Sequence, residues 1–209
     1  MQSFKKICGI TNYDDALAAA ELGADALGFI FYEKSPRYIA PEKAAQIINQ
    51  LPENLLTVGV FVNHSRTDIN RIVRTSGISV IQLHGNEQPV DCNYNSVKVW
   101  KAIRPVNVND LETLQSFNVD AFVFDTYDKN YYGGTGKTGN WKLAHQAAQN
   151  HKIILSGGLT LDNITGAIET VQPAGIDVNS GVESEPGKKD KRKLKKLFGI
   201  LREIQINDF

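Results

Sequence analysis

Two side chains far apart in this sequence stand where they could move protons. Cys8 closes a short apolar run, "FKKIC" (4–8), just before Gly9, and Asp125 closes another, "VDAFVFD" (119–125). A thiol becomes a base once ionised, and a carboxyl is an acid when its surroundings keep it protonated. The pair therefore suits a reaction that removes a proton at one end of a substrate and delivers one at the other. Run ends also hold Gln82 and His84 in "SVIQLH" and Asp177 in "AGIDVN", and Arg37 follows a run in "YEKSPRYI". Two further run ends, Ser156-Gly157-Gly158 and Asn179-Ser180-Gly181, are rich in glycine. Glycine lets backbone N–H groups approach an anion closely, which fits a phosphate.

Something must bring these run ends together. Eight β-rich runs are spaced along the chain, at 4–8, 25–31, 55–62, 79–84, 97–103, 119–125, 152–156 and 174–179. Amphipathic segments lie between and after them, at 12–23, 41–51, 65–77, 108–117, 140–150, 160–171 and 190–204, with a weaker one at 86–96 that contains Pro89. Asn12 and Ser65 are expected N-caps, Gly23 and Gly77 expected helix stops, and Pro41 an expected first-turn residue. Strand–helix alternation implies parallel strands, because each crossover needs a helix. Eight such units predict an α/β fold, a single-domain (β/α)8 (TIM) barrel over residues 1–209. An open doubly wound sheet is the alternative; it would usually carry G-x-G-x-x-G after the first strand, where this chain reads "CGITN". In a barrel of this kind the chemistry sits at the strand C-termini. Side chains alternate along a strand, so Cys8, Asp125 and Asp177 are expected to face the axis, while Ile7, Phe122, Phe124, Ile176 and Val178 face the helices.

The remaining features exclude more than they assign. Lysine plus arginine and aspartate plus glutamate each number 23, for zero formal charge, so no nucleic acid or anionic membrane is expected as partner. "KKDKRKLKK" (188–196) reads as a solvated helix face. No apolar stretch reaches the roughly 20 residues of a membrane span, and no secretory leader is visible at the N-terminus. Two cysteines make no disulfide framework, and a reduced, cytoplasmic setting is expected. Cys92, in a polar segment, reads as a small buried hydrophobe. "GGTGKTG" (133–139) departs from a nucleotide P-loop, since Tyr131 stands where the pattern needs glycine. It is expected to form a loop over the site, with Gly134 and Gly136 offering N–H groups to phosphate. His84 is expected to make structural hydrogen bonds, and His64, His145 and His151 have no expected role.

Taken together, "KICGIT", "GADALGFIFYEKSPRYI", "VGVFVN", "IQLHG", "FDT", "GGTGKT", "LSGGL" and "DVNSGVESEPGKKD" closely resemble the phosphoribosylanthranilate isomerase family of tryptophan biosynthesis, in order from near residue 5 to near residue 190. The resemblance implies an Amadori rearrangement of a phosphorylated small molecule, with no cofactor or metal, by a monomer or homodimer. It matches Cys8 to the family's general base and Asp125 to its general acid. It matches Arg37 to the arginine that holds the anthranilate carboxylate and Asp177 to a carboxylate near the sugar hydroxyls. Gly157, Gly158, Ser180 and Gly181 match the phosphate turns; apart from the resemblance, Gln82 is expected at the polar floor of the site, and Gln82 and His84 are both candidate substrate-binding residues. Two positions depart from the family pattern, Gly139-Asn140 before Trp141 and Asn179 where serine is common. Two other readings stay open: another phosphosugar barrel enzyme, such as a histidine-pathway isomerase or a pentose-phosphate epimerase, and a non-catalytic phosphosugar-binding barrel.

Overall fold

The structure, a computed structural model of the chain, describes residues 4–94, 97–125 and 140–206. Its strands are β1 (Phe4–Ile7), β2 (Ala26–Ile30), β3 (Leu56–Phe61), β4 (Val80–Leu83), β5 (Lys98–Ile103), β6 (Ala121–Asp125), β7 (Ile153–Ser156) and β8 (Gly175–Val178). They pair in parallel in chain order and close into a barrel, with β1 and β8 in register from Phe4↔Gly175 to Ile7↔Val178. That closure excludes the open sheet. All eight strands fall inside the segments read from the sequence.

Among the described residues seven α-helices wrap the barrel: α1 (Tyr13–Leu22), α2 (Pro41–Ile48), α3 (Arg66–Ser76), α4 (Asn109–Glu112), α5 (Trp141–Ala148), α6 (Ile164–Val171) and α7 (Lys191–Ile206). Local chemistry sets their ends. The Asn12 side chain accepts the Asp15 N–H at 2.9 Å, Ser65 accepts that of Asp68 at 3.1 Å, and Asn140 accepts that of Leu143 at 3.2 Å. Gly23 and Gly77 stop α1 and α3. Two segments are less helical than their pattern. Residues 108–117 form only the short α4 and a 3-10 turn, where the Thr113 and Ser116 hydroxyls each donate to the carbonyl three residues back and so compete with helix hydrogen bonds. In 86–96 only Pro89–Cys92 forms a 3-10 turn.

Alternation sorts the core into two parts. Ile7, Phe122, Phe124, Ile176 and Val178 lie in the large cluster between strands and helices. Ala26, Val58, Val80, Trp100, Ala121, Val123 and Ile154 fill the barrel interior, and the Phe4 ring meets Trp100 edge-on with centroids 5.7 Å apart. The β8 loop then adds an antiparallel hairpin, β9 (Glu183–Glu185) and β10 (Lys188–Lys189). Lys189 is therefore buried, and the "KKDKRKLKK" run is not wholly a solvated face; Lys191, Arg192, Lys195 and Lys196 on α7 are exposed as read. Among the described residues no helix is long and apolar enough to cross a membrane.

Beyond β4 the loops are braced by a buried charge. Glu87 accepts the N–H groups of Asn63 at 2.8 Å and Gly85 at 2.9 Å, and pairs with Lys101 Nζ at 2.9 Å. Burial pushes the Glu87 carboxyl up, but these donors outweigh it and hold the carboxyl below its ordinary value. Glu87→Ala would strand the Lys101 charge and two N–H groups, so it should lower the free energy of unfolding by about 3–5 kcal/mol in urea titration. Because its folded pKa is depressed, the carboxylate's contribution is present above the unfolded pKa and fades as pH falls through the folded one. The deficit of the variant should therefore shrink in acid.

Candidate active site

β1 ends one residue before Cys8, whose N–H is held by the Val178 carbonyl of β8 at 2.9 Å. That bond continues the strand register and keeps the thiol on the axial face. Gly9 follows with φ +75°, and a Cβ there would lie 2.6 Å from Asn179 Oδ1 and 2.9 Å from Arg37 Cδ. Only glycine both takes this turn and leaves Arg37 room to pass. β6 ends on Asp125, paired in register with Ser156 of β7. Cys8 and Asp125 line one cavity of about 360 Å³ at the C-terminal mouth of the barrel. Arg37, Gln82, His84 and Asp177 line the same cavity, as do Gly157, Gly158 and Ser180.

Each ionisable group has a defined partner. Asp125 Oδ2 accepts from His84 Nε2 at 3.3 Å and from Arg104 Nε and Nη2 at 3.0 and 2.9 Å. Gln82 Nε2 meets His84 Nδ1 at 2.9 Å, and this network assigns the imidazole proton to Nε2, aimed at the carboxylate. Burial raises the Asp125 pKa, but the His84 hydrogen bond and the Arg104 charge outweigh it, and the carboxyl sits below its ordinary value. The sequence reading required a carboxyl kept protonated by burial or a nearby anion; the resting site instead holds it ionised between two donors. Arg37 makes a fork to Glu183, with Nε 2.9 and 3.1 Å from its two oxygens and Nη2 at 2.7 Å. Glu183 also receives Lys189 Nζ at 2.9 Å, and Lys189 reaches Asn179 Oδ1 at 3.0 Å.

Beneath Cys8 lies a charge that the sequence reading missed. Lys6, fully buried on the same face of β1, places Nζ 2.6 Å from Asp177 Oδ2. The signal was available: the parity that turns Cys8 inward turns Lys6 inward two residues earlier. Arg104 stands one residue past β5, outside the run ends that carry the sequence reading. Glu183 carries no expectation from the sequence, and Lys189 reads there as part of a solvated face. The Asp177 side chain spends one oxygen on Lys6, and its Oδ1 and Gln82 Oε1 are buried without a hydrogen-bond donor among the described residues.

The glycine turns differ from one another. Gly157 and Gly158 have φ +87° and +67°, and a Cβ on Gly158 would meet no atom within 4 Å, so this turn opens onto the cavity. Gly181 does not line the cavity; a Cβ there would fall 2.0 Å from the Leu159 carbonyl oxygen, so its glycine serves the close packing of the two loops. Gly134 and Gly136 lie outside the described residues. His145 is on α5, while the rings of His64 and His151 meet Phe61 and Phe122 edge-on. Cys92 is buried and its thiol pushed up to about 11, chiefly by burial. Among the described residues no three His, Cys, Asp or Glu side chains converge as a metal ion would require.

An apolar barrel whose charged groups gather at one mouth, with a thiol and a carboxyl on well-separated strands, defines an enzyme of the (β/α)8 class. Comparison with known proteins narrows this. The sequence profile described as PRAI, N-(5'phosphoribosyl)anthranilate (PRA) isomerase, matches residues 5–199. A relative from Pelobacter propionicus named N-(5'-phosphoribosyl)anthranilate isomerase is 48% identical over 200 residues, 96% of each chain. The crystal structure of phosphoribosyl anthranilate isomerase from Thermotoga maritima superposes with a TM-score of 0.88 at 40% identity, covering 96% of this chain and 99% of that one. A phosphoribosyl anthranilate isomerase in complex with reduced 1-(o-carboxyphenylamino)-1-deoxyribulose 5-phosphate has a TM-score of 0.84 at 37% identity, with the same coverage. The chain belongs to the N-(5'-phosphoribosyl)anthranilate isomerase family.

The Arg104 contact is testable directly. Its side chain is 56% exposed yet holds the buried Asp125 carboxylate. Arg104→Gln should raise the Asp125 pKa toward the ordinary aspartate range, read from the carboxyl 13C shift across a pH titration. An unchanged titration would mean the ion pair does not form in solution.

Proposed function

We propose that this chain catalyses the Amadori rearrangement of N-(5-phosphoribosyl)anthranilate to 1-(2-carboxyphenylamino)-1-deoxyribulose 5-phosphate in tryptophan biosynthesis, with Cys8 as general base and Asp125 as general acid. The observation that carries this reading is the placement of that thiol and that carboxyl in one cavity, on strands β1 and β6. Family membership supports the substrate, as does the product-like ligand of the solved relative.

Protonated Asp125 donates to the furanose ring oxygen, and the C1'–O bond breaks to give an iminium. Cys8 takes the C2' proton, the C–H electrons form the C1'–C2' double bond, and the nitrogen recovers its lone pair. The enolamine then tautomerises to the ketone. The resting carboxyl is ionised, so substrate has to change its surroundings. The substrate brings a carboxylate and a phosphate to the mouth; a nearby anion raises a carboxyl's pKa and competes for Arg104. The anthranilate carboxylate is taken to meet Arg37, whose outer edge faces the cavity beside Glu183. The phosphate is taken to meet the Gly157-Gly158 turn and Ser180, with Gly181 supporting that turn from behind. Gln82 and His84 orient Asp125, and the sugar hydroxyls meet Asp177. These steps call on no metal or cofactor, and a pathway of small soluble metabolites suits the cytoplasm.

Each proton transfer is worth roughly 10²–10⁴-fold. Cys8→Ala and Asp125→Asn should therefore each lower kcat by at least about 100-fold, with substrate affinity close to that of the parent protein. The assay follows loss of anthranilate-substrate fluorescence on turnover. Full kcat in either variant removes that residue from the mechanism. Binding without turnover in the parent protein would favour the non-catalytic phosphosugar-binding barrel.

A further inference from the structure

Cys8 faces a difficulty as a base. It is 5% exposed where it lines the cavity, and burial, the largest influence on it, pushes its thiol above the ordinary value. A thiol that stays protonated takes no proton from carbon. The groups that face it come from every neighbouring element. β2 presents Gly28, where a Cβ would fall 2.6 Å from Cys8 Sγ and 3.1 Å from Lys6 Nζ, so the bare backbone lets sulfur and ammonium sit side by side. The loop after β2 contributes Arg37 and β10 contributes Lys189, and both are already engaged by Glu183. β8 contributes Asp177, which opposes ionisation of the thiol. β1 contributes Lys6, whose charge is the largest influence favouring ionisation of the thiol.

Lys6 has no other evident reason to be where it is. A fully buried ammonium is costly, and two apolar residues would fill the same space at less cost than an ion pair. Asp177 answers the cost by holding Nζ at 2.6 Å, and together Asp177 and Cys8 keep the amine cationic despite its burial. The ammonium is thus a fixed positive charge, two residues below the base and locked in direction by β8.

We propose that Lys6, pinned by Asp177, is a positioning residue for the reaction: its ammonium is the built-in counter-charge that lets Cys8 exist as a thiolate although its side chain is almost wholly buried. When Cys8 takes the C2' proton, the S–H bond forms and the charge on sulfur disappears as that on the iminium does. The ammonium stays with Asp177 throughout, ready to favour the thiolate again once the proton is released. This inference rests on the isomerase reading for its purpose, though not for its test.

The test measures ionisation of the thiol in the absence of substrate. Carbamidomethylation of Cys8 by iodoacetamide is followed by peptide mass mapping from mildly acidic to strongly alkaline pH, which separates Cys8 from the buried Cys92. The parent protein is compared with Lys6→Met and with Lys6→Met/Asp177→Asn, the second of similar volume and without buried charge in case the first does not fold. In Lys6→Met the midpoint for Cys8 should move to higher pH by about one to three units, the effect of losing an opposite charge at contact range. Reactivity at neutral pH should fall about tenfold per unit. The double variant should move the same way by less, because it also loses the opposing anion. In Lys6→Met the rising limb of kcat/KM should follow the alkylation midpoint, with KM little changed. A midpoint that stays in place or moves to lower pH in the folded variants overturns the proposal. If the parent protein shows no turnover while the alkylation shift is present, the isomerase reading fails and the role of Lys6 stands.

Discussion

The pairing of β1 with β8 is the constraint on which everything else depends. In an open sheet the first strand would have a free edge and its side chains could face either layer. Closure in register, Lys6 opposite Asp177 and Ile7 opposite Val178, fixes which residues look along the axis. Because alternation runs with a period of two, a slip of one residue would exchange Lys6 and Cys8 for Ile7 and place two polar side chains among the helices. The apolar interior of Trp100, Val58, Val80 and Val123 then leaves the polar axial residues only the mouth to occupy.

Electrostatically the mouth is three linked clusters: Lys6 with Asp177, Arg37 with Glu183 and Lys189, and Asp125 with His84 and Arg104. The first two are buried or nearly so and leave little freedom. The third pairs an almost buried carboxylate with an exposed arginine. Buried charges therefore surround Cys8, and the exposed cation stands beside Asp125. That asymmetry suits the proposed roles, in which Asp125 changes protonation state on binding while the surroundings of Cys8 stay fixed.

The barrel was legible in the sequence because each strand is short, apolar and bounded by turn residues, and because the alternation of "AFVFD" and "GIDV" reads directly as inside and outside. Cys8, Asp125, Arg37 and Asp177 were legible as residues at run ends. Their partners were less so. Glu183 and Lys189 follow β8 in a stretch that reads as a loop, and nothing local says that it folds back as a hairpin to grip Arg37. Arg104 stands one residue past β5, outside the run ends that carry the reading. Lys6 was hidden by its type: lysine in a strand invites the solvent-facing reading, and only the parity already applied to Cys8 argues otherwise. The ionised state of Asp125 was out of reach for a different reason, since it depends on Arg104 and His84 approaching from two other strands.

The hairpin at Glu183–Lys189 has a consequence for how the molecule comes into being. Arg37 meets Glu183 across 146 residues, Lys6 meets Asp177 across 171, and the Asp15 carboxylate meets the Lys189 N–H across 174. The first half of the site thus waits for the last fifth of the chain. During synthesis Lys6 and Arg37 leave the ribosome long before their counter-ions exist, and contacts of such sequence separation form slowly. A chain that stalls or is cut before residue 177 would carry Cys8, Lys6 and Arg37 without the anions that Lys6 and Arg37 meet. The charged surroundings of Cys8 are therefore complete only once the last fifth of the chain is in place.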